Sequence, residues 1–321
     1  MKRIVSWWLC VFAVFTSSAI AAEAFPTRTV RIVVPYAAGT ATDTLARTLA
    51  QQLGEAWGQP VVVENLLGAN GTIATAGVAK AAPDGYTLLM IAANHVISAS
   101  LYKSLSYDAV KDFRAIARIG EVPFVLCVNP SVPATTLAEF VALAKKQPGK
   151  INYVSPGNGT PGHLAMEMLK TASGIDVVHL PYKAAGQALT DLLGGQVQAS
   201  FIVESSAIPQ IKAGKLRALA ISSTTRSAQL PDVPSLAETG YKGFEVVSWI
   251  GLAGPAKLPD DVVSAISAQV LRIVQLPAIR ERIVAAGITV FPAGADEFGA
   301  YIAREHVKWA KAVKDSGATL D

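Results

Sequence analysis

The sequence predicts an α/β protein in which a mostly parallel sheet carries helices on its faces and one domain is interrupted by a second. Three observations carry that expectation. Short apolar runs of strand length alternate with segments whose leucines recur every three or four residues, the order of βαβ units. A strand, a small-residue turn and a helix start follow one another twice, around Gly39 and again around Gly159. A middle section of the same βα kind separates the first units from a late strand and a helical tail.

The first unit is the most informative. Val30, Ile32, Val33 and Val34 read as a short buried strand, which Pro35 ends. Tyr36 and the turn Ala37-Ala38-Gly39-Thr40 follow, and Leu45, Leu49 and Leu53 then mark one face of a helix. Asp43 sits in the first helical turn as a cap, and Arg47 one turn on. This layout aims free backbone N–H groups at an anion, so Tyr36, Ala38, Gly39 and Thr40 form a candidate lip; the alternative is an ordinary βα connection. A second strand spans 60–64, and the loop 65–71 offers Asn70 and Gly71 as a candidate floor or as a turn of positive φ. Thr72 caps an alanine-rich segment to Ala82, Pro83-Asp84-Gly85 turns, and 86–92 is a strand. Asn94 and His95 follow that strand end, where open α/β sheets place their ligand crevice.

The middle section opens with a strand over 123–128. Thr136 and Glu139 have capping-box spacing before a helix that stops at Pro148-Gly149. After the strand 150–155, Pro156-Gly157-Asn158-Gly159 turns and Thr160-Pro161 reads as an N-cap with proline at the first helical position. Ser155, Gly157, Asn158, Gly159 and Thr160 form the opposing lip. His163, in the first helical turn, is either an anion donor or a structural histidine. A strand over 177–180 ends at Pro181-Tyr182-Lys183, so Tyr182 and Gly186 are candidates to close the cleft, with Leu189, Leu192 and Leu193 on the helix beyond. Strands are expected over 201–203 and 216–221, and Ser235 and Glu238 form another capping box. A strand over 246–252 precedes helices over 260–275, 278–286 and 296–316. The chain then crosses between domains near 123–127 and 245–250, which assigns residues 25–124 and 246–321 to domain 1 and 125–245 to domain 2, with the cleft between them.

Composition bounds the function. Of 321 residues, 51% are hydrophobic and 16% charged, a globular balance. Residues 1–24 read as a signal peptide: Lys2 and Arg3, an apolar run too short to span a bilayer, then Ala19-Ile20-Ala21 and Ala22-Glu23-Ala24 as cleavage motifs. Its removal deletes Lys2, Arg3 and Glu23, so 28 basic and 24 acidic residues become 26 and 23, net +3. That mild, scattered excess argues against nucleic acid. Cys10 leaves with the signal, and Cys127 reads as a packed core residue. No Gly-x-Ser-x-Gly, His-Glu-x-x-His or Cys-x-x-Cys pattern supports a secreted hydrolase, and the dispersed histidines give no metal site. No cofactor is expected.

Motifs along the chain add a resemblance. They are Val34-Pro35-Tyr36-Ala37-Ala38-Gly39 with Asp43, Val63-Glu64-Asn65 with Gly68-Ala69, and Ala82-Pro83-Asp84-Gly85-Tyr86-Thr87-Leu88-Leu89. They continue with Tyr107-Asp108, Lys111-Asp112-Phe113, Pro181-Tyr182-Lys183, Leu193-Gly194-Gly195-Gln196-Val197, Ala213-Gly214-Lys215-Leu216-Arg217-Ala218-Leu219-Ala220 and Pro231-Asp232-Val233-Pro234. In this order they cover essentially the whole mature chain, which resembles the Bug, or TctC-like, solute receptors of tripartite tricarboxylate transporters. The resemblance implies a periplasmic binding protein of type II, a Venus flytrap whose two α/β domains join through two crossing strands. It implies a monomeric, non-enzymatic receptor that binds a small carboxylate through loop backbone, hydroxyls and water and delivers it to transporter membrane subunits; a sensory module for a signalling partner is the rival. The chain departs from the family pattern at Thr40, at Leu66-Leu67 in place of Arg-Pro, and at Ala184. Ile202 stands where amino-acid-binding relatives carry an aspartate, which disfavours an amino-acid ligand.

Overall fold

A computed structural model describes residues 25–320; the expected signal peptide lies outside the described residues. In chain order the elements are β1 (Val30–Val34), α1 (Ala41–Trp57), β2 (Val61–Asn65), α2 (Thr72–Ala79), β3 (Thr87–Ala92), α3 (Asn94–Leu101), β4 (Phe113–Val128), α4 (Leu137–Lys146), β5 (Asn152–Ser155) and α5 (Pro161–Ser173). There follow β6 (Val178–Pro181), α6 (Ala185–Leu193), β7 (Ala199–Val203), α7 (Glu204–Lys212), β8 (Arg217–Ile221), β9 (Val247–Pro255), α8 (Asp260–Val274), α9 (Pro277–Ala285), β10 (Thr289–Ala293) and α10 (Ala295–Ser316).

The sheet runs β2-β1-β3-β9-β4-β7-β5-β6. β1 lies between β2 and β3, all parallel, and β5 lies parallel to β6 and β7, as the βαβ pattern predicts. β4 joins the two halves. From Phe113 to Pro123 it pairs antiparallel with β9, and from Phe124 to Val128 it pairs antiparallel with β7 and β8. The return crossing lies alongside: Val246 N–H donates to Ser222 O, and Val247 already faces Pro123. β4 and the segment leading into β9 therefore pass side by side from one half of the sheet to the other, a double crossing like that expected of a Venus-flytrap fold, with only β4 a continuous strand through it.

Apolar faces account for the layers. The Leu45, Leu49 and Leu53 stripe of α1 packs with α8 (Val263, Ile266, Val270) on one face of the first half-sheet. On the other face α10 packs with α3 and reaches α5, so the tail helix touches both halves. Trp249 on β9 and Trp309 on α10 both donate their indole N–H to Glu305 Oε2, at 3.0 and 2.8 Å, which satisfies a carboxylate buried behind the crossing. Cys127 is fully buried, as expected, and burial pushes its thiol pKa up.

Four features escaped the sequence reading. β4 starts ten residues before the expected 123, because Arg118 and Glu121 interrupt its apolar run; both are buried and paired with one another. The short helices α3 and α7 and the strand β10 were also unannounced; α7 contains Pro209 and begins at a buried glutamate, two features that read as loop. The Ser235/Glu238 box does form, with both reciprocal hydrogen bonds, but it closes a turn rather than starting a helix.

Candidate ligand cleft

β1, β3, β5, β6 and β7 each end where a helix begins. Residues from the first turns of α1 (Ala41, Thr42), α3 (Asn94), α5 (Pro161, Gly162), α6 (Ala185, Gly186) and α7 (Ser206) line one cavity of about 470 Å³. That volume suits a small-molecule site. The N-terminal N–H groups of a helix lack intrahelical acceptors and carry its positive dipole end, so five such ends make the cavity electropositive without a formal charge. Among the described residues, no Lys, Arg, Asp or Glu lines it. The remaining wall is largely apolar: Val122 and Phe124 of β4, Phe201, Ile202 and Val203 of β7, Ile250 of β9, and the α6 face Ala188, Leu189, Leu192.

The two expected lips share one local design. Gly39 (φ 83°) and Gly159 (φ 71°) both occupy the left-handed region and both precede a threonine N-cap. Thr40 Oγ1 donates to Ala37 O at 2.9 Å, and Thr160 Oγ1 donates to Gly157 O at 2.8 Å. Each glycine N–H is accepted by the side chain four residues on: Gly39 by Asp43 Oδ2 at 2.9 Å, Gly159 by His163 Nδ1 at 3.1 Å. Thr40 and Thr160 line the same cavity from opposite sides of the crossing.

Behind the first lip, Asp43 is buried and also accepts from Arg47 Nε (3.1 Å) and Asn65 Nδ2 (2.8 Å). Burial alone pushes its carboxyl up, but the hydrogen bonds from Arg47, Asn65 and Gly39 together outweigh it and the net shift is downward. Behind the second lip, His163 stacks on His179 with ring centroids 4.0 Å apart, and His179 stacks on Tyr153. Burial lowers His163 to about 4; burial, then His163 and Lys170, lower His179 to about 3. His163 Nδ1 accepts a hydrogen bond, so that nitrogen carries no proton.

The structure sorts the sequence candidates. Tyr36, Thr40, Thr160 and Gly186 line the cavity. Tyr36 is half-buried; burial pushes its hydroxyl pKa up, with the Ala92 backbone as a hydrogen-bond partner. Gly39, Gly159 and His163 shape the lips from behind. Ser155 is buried beneath the second lip, where its Oγ lies 2.7 Å from His179 Nε2 and contacts both backbone groups of Gly157. Ala38, Gly157 and the exposed Asn158 belong to the turns and do not line the cavity. Asn70 (φ 55°) and Gly71 (φ 89°) fulfil the turn alternative; Asn70 Nδ2 donates to Ser98 Oγ and Gly71 packs on Pro35. His95 is turned away, because its Nε2 lies 2.7 Å from Ala109 O and its ring meets the edge of Phe113. The hydroxyl of Tyr182 donates to Asp191 on α6, so it braces that helix rather than closing the cavity.

The sequence reading missed Ser206, Ser248 and most of the apolar wall, whereas Asn94, expected beside the crevice, lines the cavity. Phe124 and Phe201 were read only as strand residues, and strand pattern does not tell a core face from a cavity face; Ile202, set opposite a ligand by the family resemblance, does line the cavity. Of the expected α6 leucines Leu189, Leu192 and Leu193, the first two line the cavity, but their spacing also fits ordinary core packing.

The family model described as "Tripartite tricarboxylate transporter family receptor" (TctC) matches residues 45–318. The protein BugT of Bordetella pertussis is 34% identical over 319 residues, covering 97% of this chain and 98% of BugT. Among solved structures, Rpa4515 of R. palustris with adipate has a TM-score of 0.77 at 31% identity, covering 92% of this chain and 99% of that one. MatC (Rpa3494) from Rhodopseudomonas palustris with bound malate has a TM-score of 0.72 at 32% identity, covering 90% and 100%. Matching this family along nearly its whole length and sharing its fold, the chain belongs to the TctC family of tripartite tricarboxylate transporter receptors, the periplasmic binding proteins of the Bug type.

Proposed function

We propose that this protein is a periplasmic receptor that captures a small carboxylate between its two lips and delivers it to the membrane subunits of a tripartite tricarboxylate transporter. The observation that carries the reading is the convergence of five helix N-termini on one uncharged cavity. A carboxylate there accepts from N–H groups of both half-sheets at once, and each charge-assisted hydrogen bond contributes about 1.5–3 kcal/mol. The adipate and malate of the two solved relatives support the ligand class. The proposed domains are residues 25–124 with 246–321, and 125–245. They close about the crossing of β4 with the segment before β9, which converts occupancy into shape. The family consists of receptors, and we assign the chain no catalytic role.

Thermal-shift screening of the mature protein against organic acids tests this. Stabilisation that grows with ligand concentration is expected for one or a few carboxylates, as mass action requires. Turnover of an ester or amide with no carboxylate response would replace the reading with a hydrolase.

A further inference from the structure

We infer that the carboxylate this cleft selects is a monoanion with an apolar alkyl or aryl body, rather than a dicarboxylate or an amino acid. The inference rests on the receptor reading and deepens it by naming the substrate class.

The walls divide into two chemistries. Donors cluster at the helix starts: Ala41 and Thr42 of α1, Gly162 of α5, Ala185 and Gly186 of α6. They are fixed backbone dipoles that suit one carboxylate. The lip hydroxyls are already committed, since Thr40 and Thr160 donate to turn carbonyls, and Ser200 Oγ donates to Val154 O. From Ala185 onward the inner face of α6 is apolar through Ala188, Leu189 and Leu192, and Phe124, Phe201 and Ile202 line the same cavity. A guest whose head sits at the helix starts lays its body on this wall.

Neither a second carboxylate nor an ammonium finds a counter-charge, because no lining residue is ionisable apart from the phenol of Tyr36. Glu204, between the lining residues Val203 and Ser206, is buried, and burial pushes its carboxyl pKa up, so it brings no positive charge to a second anion. Ser206 and Ser248 line the cavity without side-chain hydrogen bonds among the described residues, so they serve a neutral polar substituent but supply no charge. Desolvating an unpaired second charge against Leu, Phe and Ile disfavours the diacid of any matched pair.

Calorimetric titration of the mature protein with two matched pairs, hexanoate against adipate and benzoate against terephthalate, tests this, with L-glutamate as the amino acid. The monoacid of at least one pair is expected to bind at least tenfold more tightly than its diacid, and glutamate more weakly than either monoacid. The variant Leu189→Arg, at a half-buried wall position, is expected to shift the mono/diacid ratio at least tenfold toward the diacid. Tighter binding of both diacids or of glutamate by the unaltered protein overturns the inference and leaves the receptor reading intact. Binding of none of the five acids overturns both.

Discussion

The lip around Gly39 and the lip around Gly159 have the same backbone and different supports. In each, a left-handed glycine leads into a threonine N-cap, and the side chain four residues on accepts the glycine N–H. One acceptor is the Asp43 carboxylate, held by Arg47 and Asn65. The other is the His163 imidazole, held in a stack with His179 and Tyr153. A turn that presents free N–H groups therefore does not prescribe its prop; it requires only an acceptor at that spacing. The supports differ in what disturbs them. The first lip is open to solvent around its glycine and clamped by charge, whereas the second is packed and neutral.

The comparison breaks most sharply at the glycines. A Cβ at Gly39 meets nothing within 4 Å, but one at Gly159 lies 2.4 Å from Leu101 Cδ1, on α3 of the other half-sheet. Gly39→Ala then incurs only left-handed strain, about 1–2 kcal/mol. Gly159→Ala adds overpacking and is expected to cost roughly 2–4 kcal/mol in all. Urea denaturation of the two variants reads the difference directly. Equal losses would mean that Leu101 moves aside freely and that the second lip is not packed across the crossing.

How far the site was legible follows from the same contrast. Both lips were visible in the sequence because Gly, Pro and an N-capping Thr report local backbone geometry, which needs no knowledge of distant contacts. Asp43 was identified as a cap for that reason. His163, Ser155 and His95 were not resolved between ligand and support, because a polar side chain near a cleft points either way until its tertiary partner is known. Ser155 finds His179, and His95 finds Ala109 O, across separations that no local pattern encodes. Apart from Ile202, the wall on β7 and α6 stayed hidden for a related reason: apolar residues facing a cavity and apolar residues facing a core have the same periodicity. β4 was half seen, its Arg118–Glu121 pair masking a strand that proved central to the topology.

Acid separates the lips next. His163 has its pKa lowered to about 4 from the ordinary 6.5, chiefly by burial, with Glu167 opposing and Lys170 assisting. The unfolded chain therefore binds the proton more tightly. The stability that neutral His163 contributes is complete above pH 6.5, declines as pH falls through the window from 6.5 to about 4, and is gone below it. The shift corresponds to roughly 3 kcal/mol at most. His95 and His179, lowered to about 4 and about 3, add to the same trend. Asp43 is shifted the opposite way relative to acid: its carboxylate persists below the usual range. Amide exchange followed by NMR is expected to show Gly159 losing protection near pH 4 while Gly39 retains it. His163→Gln, whose amide oxygen accepts without titrating, is expected to flatten the decline in melting temperature. Simultaneous loss at both glycines would show that the two supports are not independent.

The smallest expected difference lies in the threonines. Both hydroxyls donate three residues back, but only Thr40 also accepts from its helix, through Asp43 N–H at 3.3 Å. Thr160 makes no such cap, because Pro161 at the first helical position already removes one unpartnered donor and presets the backbone angle. Thr40→Val is therefore expected to cost about 1 kcal/mol and Thr160→Val about half that, by denaturation. Binding ranks them differently. Thr40→Val frees the Asp43 N–H at the N-terminus of α1, an added donor at that helix end for an anion that offsets part of the loss of the turn. Thr160→Val frees no donor and loosens the turn, so it is expected to weaken carboxylate binding more while costing less stability. A Thr40→Val protein that loses more affinity than Thr160→Val would show that the threonine hydroxyl itself, and not the backbone it positions, holds the guest at the first lip.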